Sequence, residues 1–205
     1  DAALDTVAEK LQAAGKQAAF VASPQATNED LFAFRRLARH AGGLVDFRVG
    51  DPQDKLQQRL DDVLQRADRN PNTQGCLELG LGQSGVAAVL EACRAGQVQV
   101  LVLQGPELLR LAGAEDAVAK VPFVAVLASH EEPALDRAHA VLPAAVWAEV
   151  DGTFTNYQRR VQRLARAFPA PGEARPGWDL AAALLRRLGA PFPATCAAYR
   201  RCTLL

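Results

Sequence analysis

The sequence predicts an α/β fold, a doubly wound and mostly parallel sheet with helices on both faces. Three observations predict it. The runs QAAFVAS (17–23), VQVLVL (98–103) and FVAVLA (123–128) are short and almost continuously apolar, as strands buried on both faces must be. Helical periodicity fills the segments between them. Linkers are short, with no internal repeat and no low-complexity tract, so residues 1–205 read as a single α/β domain.

The elements follow in order. Residues 2–14 place Leu4, Val7, Ala8 and Leu11 on one helical face, and Gly15 stops that helix. After the strand at 17–23, Thr27 is a good N-cap, and Asp30 three residues later approximates a capping box. The helix so opened turns Leu31, Phe34, Leu37 and Ala38 inward and ends at Gly42-Gly43. Residues 44–49 form a second strand. Residues 52–67 are helical in composition but heavily charged, which predicts a surface helix or an irregular crossover. DRNPNTQG (68–75) is punctuated as a loop, and CLEL (76–79) reads as a weak strand. A helix over 85–94, capped by Ser84, leads into the strand at 98–103. Strands over 123–128 and 140–142 follow, and a last helix spans 178–188, with Gly189 and Pro191 beyond it.

Composition excludes several function classes. The chain has 205 residues, 49% of them hydrophobic and 22% charged, in the range of soluble globular proteins. Folding at this length buries roughly 70% of the unfolded surface, so no staples are needed. No apolar run approaches the roughly 18 residues of a membrane helix, so direct membrane insertion is not expected. The acidic, amphipathic start is unlike a signal peptide, and a first residue other than Met points to a processed or excised chain. Cys76, Cys93, Cys196 and Cys202 form no CxxC pair, which argues for inert thiols in a reducing cytoplasm rather than a metal or iron–sulfur site. Net charge is zero but uneven: residues 152–205 hold nine arginines against Glu173 and Asp179, leaving the rest of the chain acidic. Either this basic C-terminal segment (146–205) folds back on the acidic body, or it faces a partner or a polyphosphate.

Four patterns invite chemistry. Gly80-Leu81-Gly82-Gln83-Ser84-Gly85 is a GxGxxG opening a helix, the arrangement that brings backbone amides to a pyrophosphate. Its preceding strand is weak, and no acid ends the next one to hold a ribose, so a tight turn is the simpler reading. Ser84 is one residue short of a nucleophile elbow, and His40, His130 and His139 have no evident orienting partner. The pairs Asp61-Asp62 and Glu131-Glu132 read as solvated ends rather than carboxylate dyads. EVDGTFTNYQRRVQ (149–162) differs in kind, because Gly152, Thr153, Thr155 and Asn156 are turn residues with free hydrogen-bonding groups next to Arg159 and Arg160. Such a loop binds an anion or clamps a neighbouring segment.

This last segment carries a resemblance. VLPAAVWAEVDGTFTNYQRRVQR (141–163) and PGEARPGWDL (171–180) are similar to the signature stretches of the molybdopterin oxidoreductase superfamily. ASPQATNEDLFAFRRLAR (22–39) and CRAGQVQVLVLQGPEL (93–108) resemble two further elements of it, in family order. ADRNPNTQG (67–75) leans toward the large iron–sulfur subunit of NADH-quinone oxidoreductase (respiratory complex I). The resemblance implies the central Rossmann-like domain alone, with the partner lobe missing between about 49 and 70. It lacks the family's iron–sulfur module, metal-ligating residue and C-terminal barrel. Gly105-Pro106-Glu107 replaces the usual Asn-Pro, residues 129–133 replace a Thr-Glu-Thr element, and Gln158 stands where Glu is usual. Two functions follow from the resemblance. The leading one is a cytoplasmic, cofactor-free scaffold or interaction domain, not catalytic by itself, whose partners are other subunits of an NADH-quinone oxidoreductase-like complex and not nucleic acid. The alternative is a lobe of a molybdopterin-dependent enzyme, in which Thr153, Asn156, Arg160 and Gln162 would help hold a pterin guanine dinucleotide.

Overall fold

The computed structural model describes residues 2–47, 58–61, 64–82 and 85–190. Five strands, β1 (Ala18–Ala22), β2 (Leu44–Phe47), β3 (Val100–Gln104), β4 (Phe123–Ala128) and β5 (Ala140–Pro143), form a parallel sheet in the order β2-β1-β3-β4-β5. Its two faces are made by alternation. Phe20, Val100, Val102, Phe123 and Ala125 point to one side, while Val21, Leu101, Leu103, Val124 and Val126 point to the other. Helices α1 (Ala2–Ala14) and α2 (Asn28–Ala41) cover the first face, and α4 (Gly85–Arg94) and α5 (Glu115–Val118) the second. The doubly wound expectation therefore holds, and both faces are sealed by side chains of periodic helices.

Two elements depart from the sequence reading. Residues 73–78, expected as the end of a loop and the start of a weak strand, form a short helix, α3 (Thr73–Glu78). CLEL is a run too short for periodicity to separate strand from helix, and its Cys76 is buried against the first-face core. Gly152–Thr155 is a strand, β6, rather than a turn, and pairs antiparallel with β7 (Val161–Leu164). Of the charged crossover, residues 58–61 and 64–67 are irregular, joined by an Arg59–Arg66 bridge, and its other residues lie outside the described ones. So do residues 48–49 of the expected second strand.

The start of α2 holds the remaining elements. Thr27 Oγ1 accepts from Asp30 N at 3.1 Å, and Asp30 Oδ2 accepts from Thr27 N at 3.2 Å, the capping box expected from the sequence. The other carboxylate oxygen, Oδ1, accepts from Trp178 N at 2.6 Å, in the first turn of α6 (Gly177–Arg187). One buried aspartate thus caps two helices, and α6 packs along α2 and α1 with Leu180, Leu184 and Leu185 buried. Next to it, Glu29 Oε2 accepts from Thr153 N at 2.8 Å, and Asn72 Oδ1 accepts from Thr155 N at 2.8 Å. These side chains complete the edge of β6 that no strand pairs with among the described residues. Asn28 Nδ2 adds bonds to Thr153 Oγ1 (3.1 Å) and Thr155 Oγ1 (3.0 Å). Asn72 Nδ2 also donates to Ala26 O at 2.8 Å. Gly75 is required here, because a Cβ would run into the amide oxygens of Asn28 and Asn72.

Gly152 lies flat on this platform, where a Cβ would stand 2.7 Å from Thr27 Cγ2 and 2.9 Å from Thr27 Cβ. Gly152→Ala is expected to lift the hairpin from α2 and lower stability by about 1–3 kcal/mol, read by urea denaturation. Unchanged stability would show that the hairpin is not pressed onto the helix. Burial raises the Asp30 carboxyl pKa, opposed by the hydrogen bonds from Thr27 and Trp178. A raised folded pKa means that the folded state keeps its proton to higher pH than the unfolded chain, so Asp30's contribution to stability falls as pH rises through that window. Asp30→Asn supplies one acceptor where two are used, costing about 1–3 kcal/mol. That cost should be largest at acid pH and shrink toward neutral pH in a series of denaturation curves. A cost that grows with pH would contradict the raised carboxyl.

Candidate functional site

In sheets of this order, the crossovers leaving β1 and β3 run to opposite faces, and a crevice opens at the carboxyl ends of the strands. The protein has a cleft of about 520 Å³ there. Its walls come from the segments that follow β1 (Ser23, Thr27), β3 (Gly105, Glu107, Arg110), β4 (Ser129, Glu132) and β5 (Ala144, Trp147). Asp30 and Gly177 line its floor, so the double cap described above is also a wall of the cleft.

The crevice between β1 and β3 is crossed by side chains. Gln104 Oε1 accepts from Ser23 N at 3.3 Å, and the Ser23 hydroxyl donates to Glu107 Oε1 at 3.5 Å. Gly105, at φ 89°, lets the chain fold Glu107 back, since a Cβ there would meet the Glu107 carboxylate. Further along, Arg110 Nε stands 3.3 Å from Glu132 Oε1. That contact is an ion pair without hydrogen-bond geometry: the buried Glu132 Oε1 receives no hydrogen bond. Ser129 Oγ and His130 Nδ1 lie 2.7 Å apart at the rim. The cleft is therefore lined by four carboxyl groups (Asp30, Glu107, Glu131, Glu132), a guanidinium and hydroxyls, and one of its buried acceptors, Glu132 Oε1, has no hydrogen bond. Acceptors outnumber cationic donors along its walls.

The candidates named from sequence are distributed as follows. Thr153, Asn156, Arg160 and Gln162 share the β6–β7 hairpin. Thr153 is engaged with Glu29 and Asn28. Asn156 turns inward on the loop, its Oδ1 accepting from Gln158 N and Arg160 N at 3.0 Å each, and its Nδ2 donating to Gln162 Oε1 at 3.3 Å. The Arg160 and Gln162 side chains are exposed. The hydrogen-bonding groups of Thr153 and Thr155, read as free, are thus already bonded to α2. None of the four lines the switch-point cleft. The GxGxxG does not follow a strand, as a dinucleotide fingerprint must, but the helix α3. Gly82 (φ 80°) packs on the Phe47 ring, while Gln83 and Ser84 lie outside the described residues. His139 Nδ1 accepts from Val124 N at 3.1 Å and its ring tilts against Phe123; His40 Nε2 meets Leu188 O at 3.2 Å. Both are tied to structure.

Cys76 and Cys93 are buried free thiols, and burial pushes both pKa values up, that of Cys93 to about 11. Cys196 and Cys202 lie outside the described residues. Among the described residues no group of three His, Cys, Asp or Glu is placed to hold a metal ion. No helix among them is long and apolar enough to cross a membrane. Glu132, read from sequence as part of a solvated end, instead turns Oε1 into the cleft against Arg110, and the cleft residues Ser23 and Arg110 were not singled out as site residues. Their one signal is a position just after the apolar strands, and it becomes useful only once the strand order is known.

The chain is similar to known oxidoreductases. It shares 57% identity over 53 residues with the F420-dependent formate dehydrogenase 2 subunit alpha of Methanococcus maripaludis, 26% of this chain and 8% of that protein. With a putative formate dehydrogenase of Bacillus subtilis it shares 34% over 106 residues, 50% of this chain and 11% of the relative. With the NADPH-Fe(3+) oxidoreductase subunit alpha of Geobacter sulfurreducens it shares 36% over 107 residues, 49% and 12% of the two chains. The chain thus spans about a tenth of the length of the curated relatives it matches. The family model for molybdopterin oxidoreductase matches residues 62–187, more than half of the sequence and including β3 through α6. The chain belongs to the molybdopterin oxidoreductase family.

Proposed function

We propose that this chain is one lobe of a larger molybdopterin-dependent oxidoreductase, contributing a wall for the cofactor's nucleotide and none of the redox chemistry. The switch-point cleft carries the reading, above all the buried Glu132 Oε1 that receives no hydrogen bond. Its nearest cation, Arg110 Nε, stands 3.3 Å away without hydrogen-bond geometry, so a ligand's N–H would supply the bond that this oxygen lacks. That chemistry fits the nucleoside end of a pterin guanine dinucleotide: Glu132 and Glu107 would accept from base N–H or ribose hydroxyls, and Arg110, now beside Glu132, would supply the positive charge for a phosphate. When bound, the pterin-held metal supplies the electron transfer. This chain's residues bind, orient and exclude water. The similarity to formate dehydrogenase subunits supports the same reading.

A second reading has its own observation. Glu107 lies across the β1/β3 crevice with the Ser23 hydroxyl on its carboxylate, the place where a phosphate would otherwise sit, and Thr153 and Asn156 of the hairpin are bonded internally. An internal anion there favours a cofactor-free scaffold, as in the large subunit of an NADH-quinone oxidoreductase, held by neighbouring subunits.

Calorimetric titration of guanosine monophosphate into the chain separates the two. The first reading expects saturable binding that Glu132→Gln weakens about tenfold, the value of one hydrogen bond to a charged group. Absence of binding to the folded chain would sink it and leave the scaffold.

A further inference from the structure

The hairpin has one sealed edge and one open edge. Asn156 N donates to Arg160 O at 3.0 Å, which sets the alternation of the antiparallel pair. Thr155↔Val161 and Thr153↔Arg163 are then the pairs whose backbone groups point away from each other. On β6 those outward N–H groups are taken by Glu29 and Asn72. On β7 the outward N–H and C=O of Val161 and Arg163 have no strand beside them among the described residues. Such an edge is a template for another chain.

The surroundings of that edge are chemically consistent. Arg159, Arg160, Arg163 and Arg166 are exposed, and none enters an ion pair among the described residues, whereas Arg175, Arg186 and Arg187 of the same basic segment all do. Arg66 adds charge at the tip, its guanidinium 3.6 Å over the Tyr157 ring. Arg159 is held at φ 62°, a left-handed conformation that bulky residues rarely adopt. Beside the arginines stand exposed apolar side chains: Val161 at 59%, Phe168 at 51% and Trp147 at 67%. Ala148 O accepts from Ala167 N and Phe168 N, which brings the Trp147 turn next to Phe168.

We infer that the outer edge of β7 is a docking site for an acidic, extended segment of a partner protein, added to the hairpin as a third strand. The partner's backbone pairs with Val161 and Arg163, its carboxylates meet the arginine forks, and its apolar side chains cover Val161 and the aromatic pair. A protein strand fits better than a nucleic acid, because only a peptide presents alternating N–H and C=O at the strand spacing. The β7 edge and its arginines lie outside the cleft, whose wall shares only Trp147 with this surface, so the strand pairing does not depend on whether a nucleotide binds there.

The test uses the full chain and a synthetic twelve-residue peptide of alternating Glu and Val. Amide hydrogen exchange by NMR should slow at least tenfold at Val161 and Arg163 on adding the peptide, with Phe154 and Gln162, already paired within the hairpin, unchanged. Fluorescence anisotropy should show at least tenfold weaker peptide binding by Arg163→Glu combined with Arg166→Glu. If that variant does not fold, the exchange experiment on the unaltered chain decides alone. No slowing at those two amides overturns the inference. So does equal binding of a twelve-nucleotide single-stranded DNA or of anionic vesicles, which would make the arginines a general polyanion surface.

Discussion

The first turn of α2 is the constraint on which the rest of this protein depends. Four consecutive residues, Thr27 to Asp30, between them hold their own helix start, the side chains and backbone of the hairpin, and the first turn of α6. Two carboxylates are buried there, at a place where burial is tolerable. The N-terminus of a helix presents unpaired N–H groups and the positive end of its dipole, and both favour an acid. The elements it gathers come from far apart in sequence, and among the described residues it shares the hairpin's backbone only with Asn72, at Thr155 N.

That same turn begins directly after β1, beside the topological switch, so structural and ligand-facing roles meet in it. Asp30 seals α6 on one side and lines the cleft on the other. The opposite wall, after β3 and β4, is different in character. It carries Glu107, Arg110 and Glu132, held by long contacts and one buried acceptor without a donor.

The hairpin shows how one small element separates inward from outward function. Its inner edge is completed by side chains in place of a strand, which fixes it to the domain. Its outer edge keeps its backbone groups, its arginines and its apolar residues toward solvent. The basic surplus of the C-terminal segment is therefore not spread evenly. Arg187 reaches Asp5 of α1 and Arg175 and Arg186 meet Asp179, while the hairpin's charge is left outward.

Much of this was legible in the residues. Periodicity and capping chemistry are local, so the α2 capping box of Thr27 and Asp30, the buried faces of α1 and α2, and the apolar strands could be read directly, and with them the α/β class. CLEL was misread because four apolar-rich residues satisfy either period, and burial of Cys76 against a distant core decided for helix. Thr153 and Thr155 looked like turn residues because their strand is stabilised by Glu29, Asn28 and Asn72, 83 or more positions away, which no local window contains. The order β2-β1-β3-β4-β5, the cleft it opens and the unmet Glu132 were likewise decided only in three dimensions. By itself the sequence determined the longer helices and the apolar strands, since those preferences act within a few residues, while α3 and β6 took their form from distant partners. Which strand lies beside which, and so where the site and the open edge fall, was left to long-range packing, where parallel pairing and buried hydrogen bonds compare residues that the chain keeps far apart.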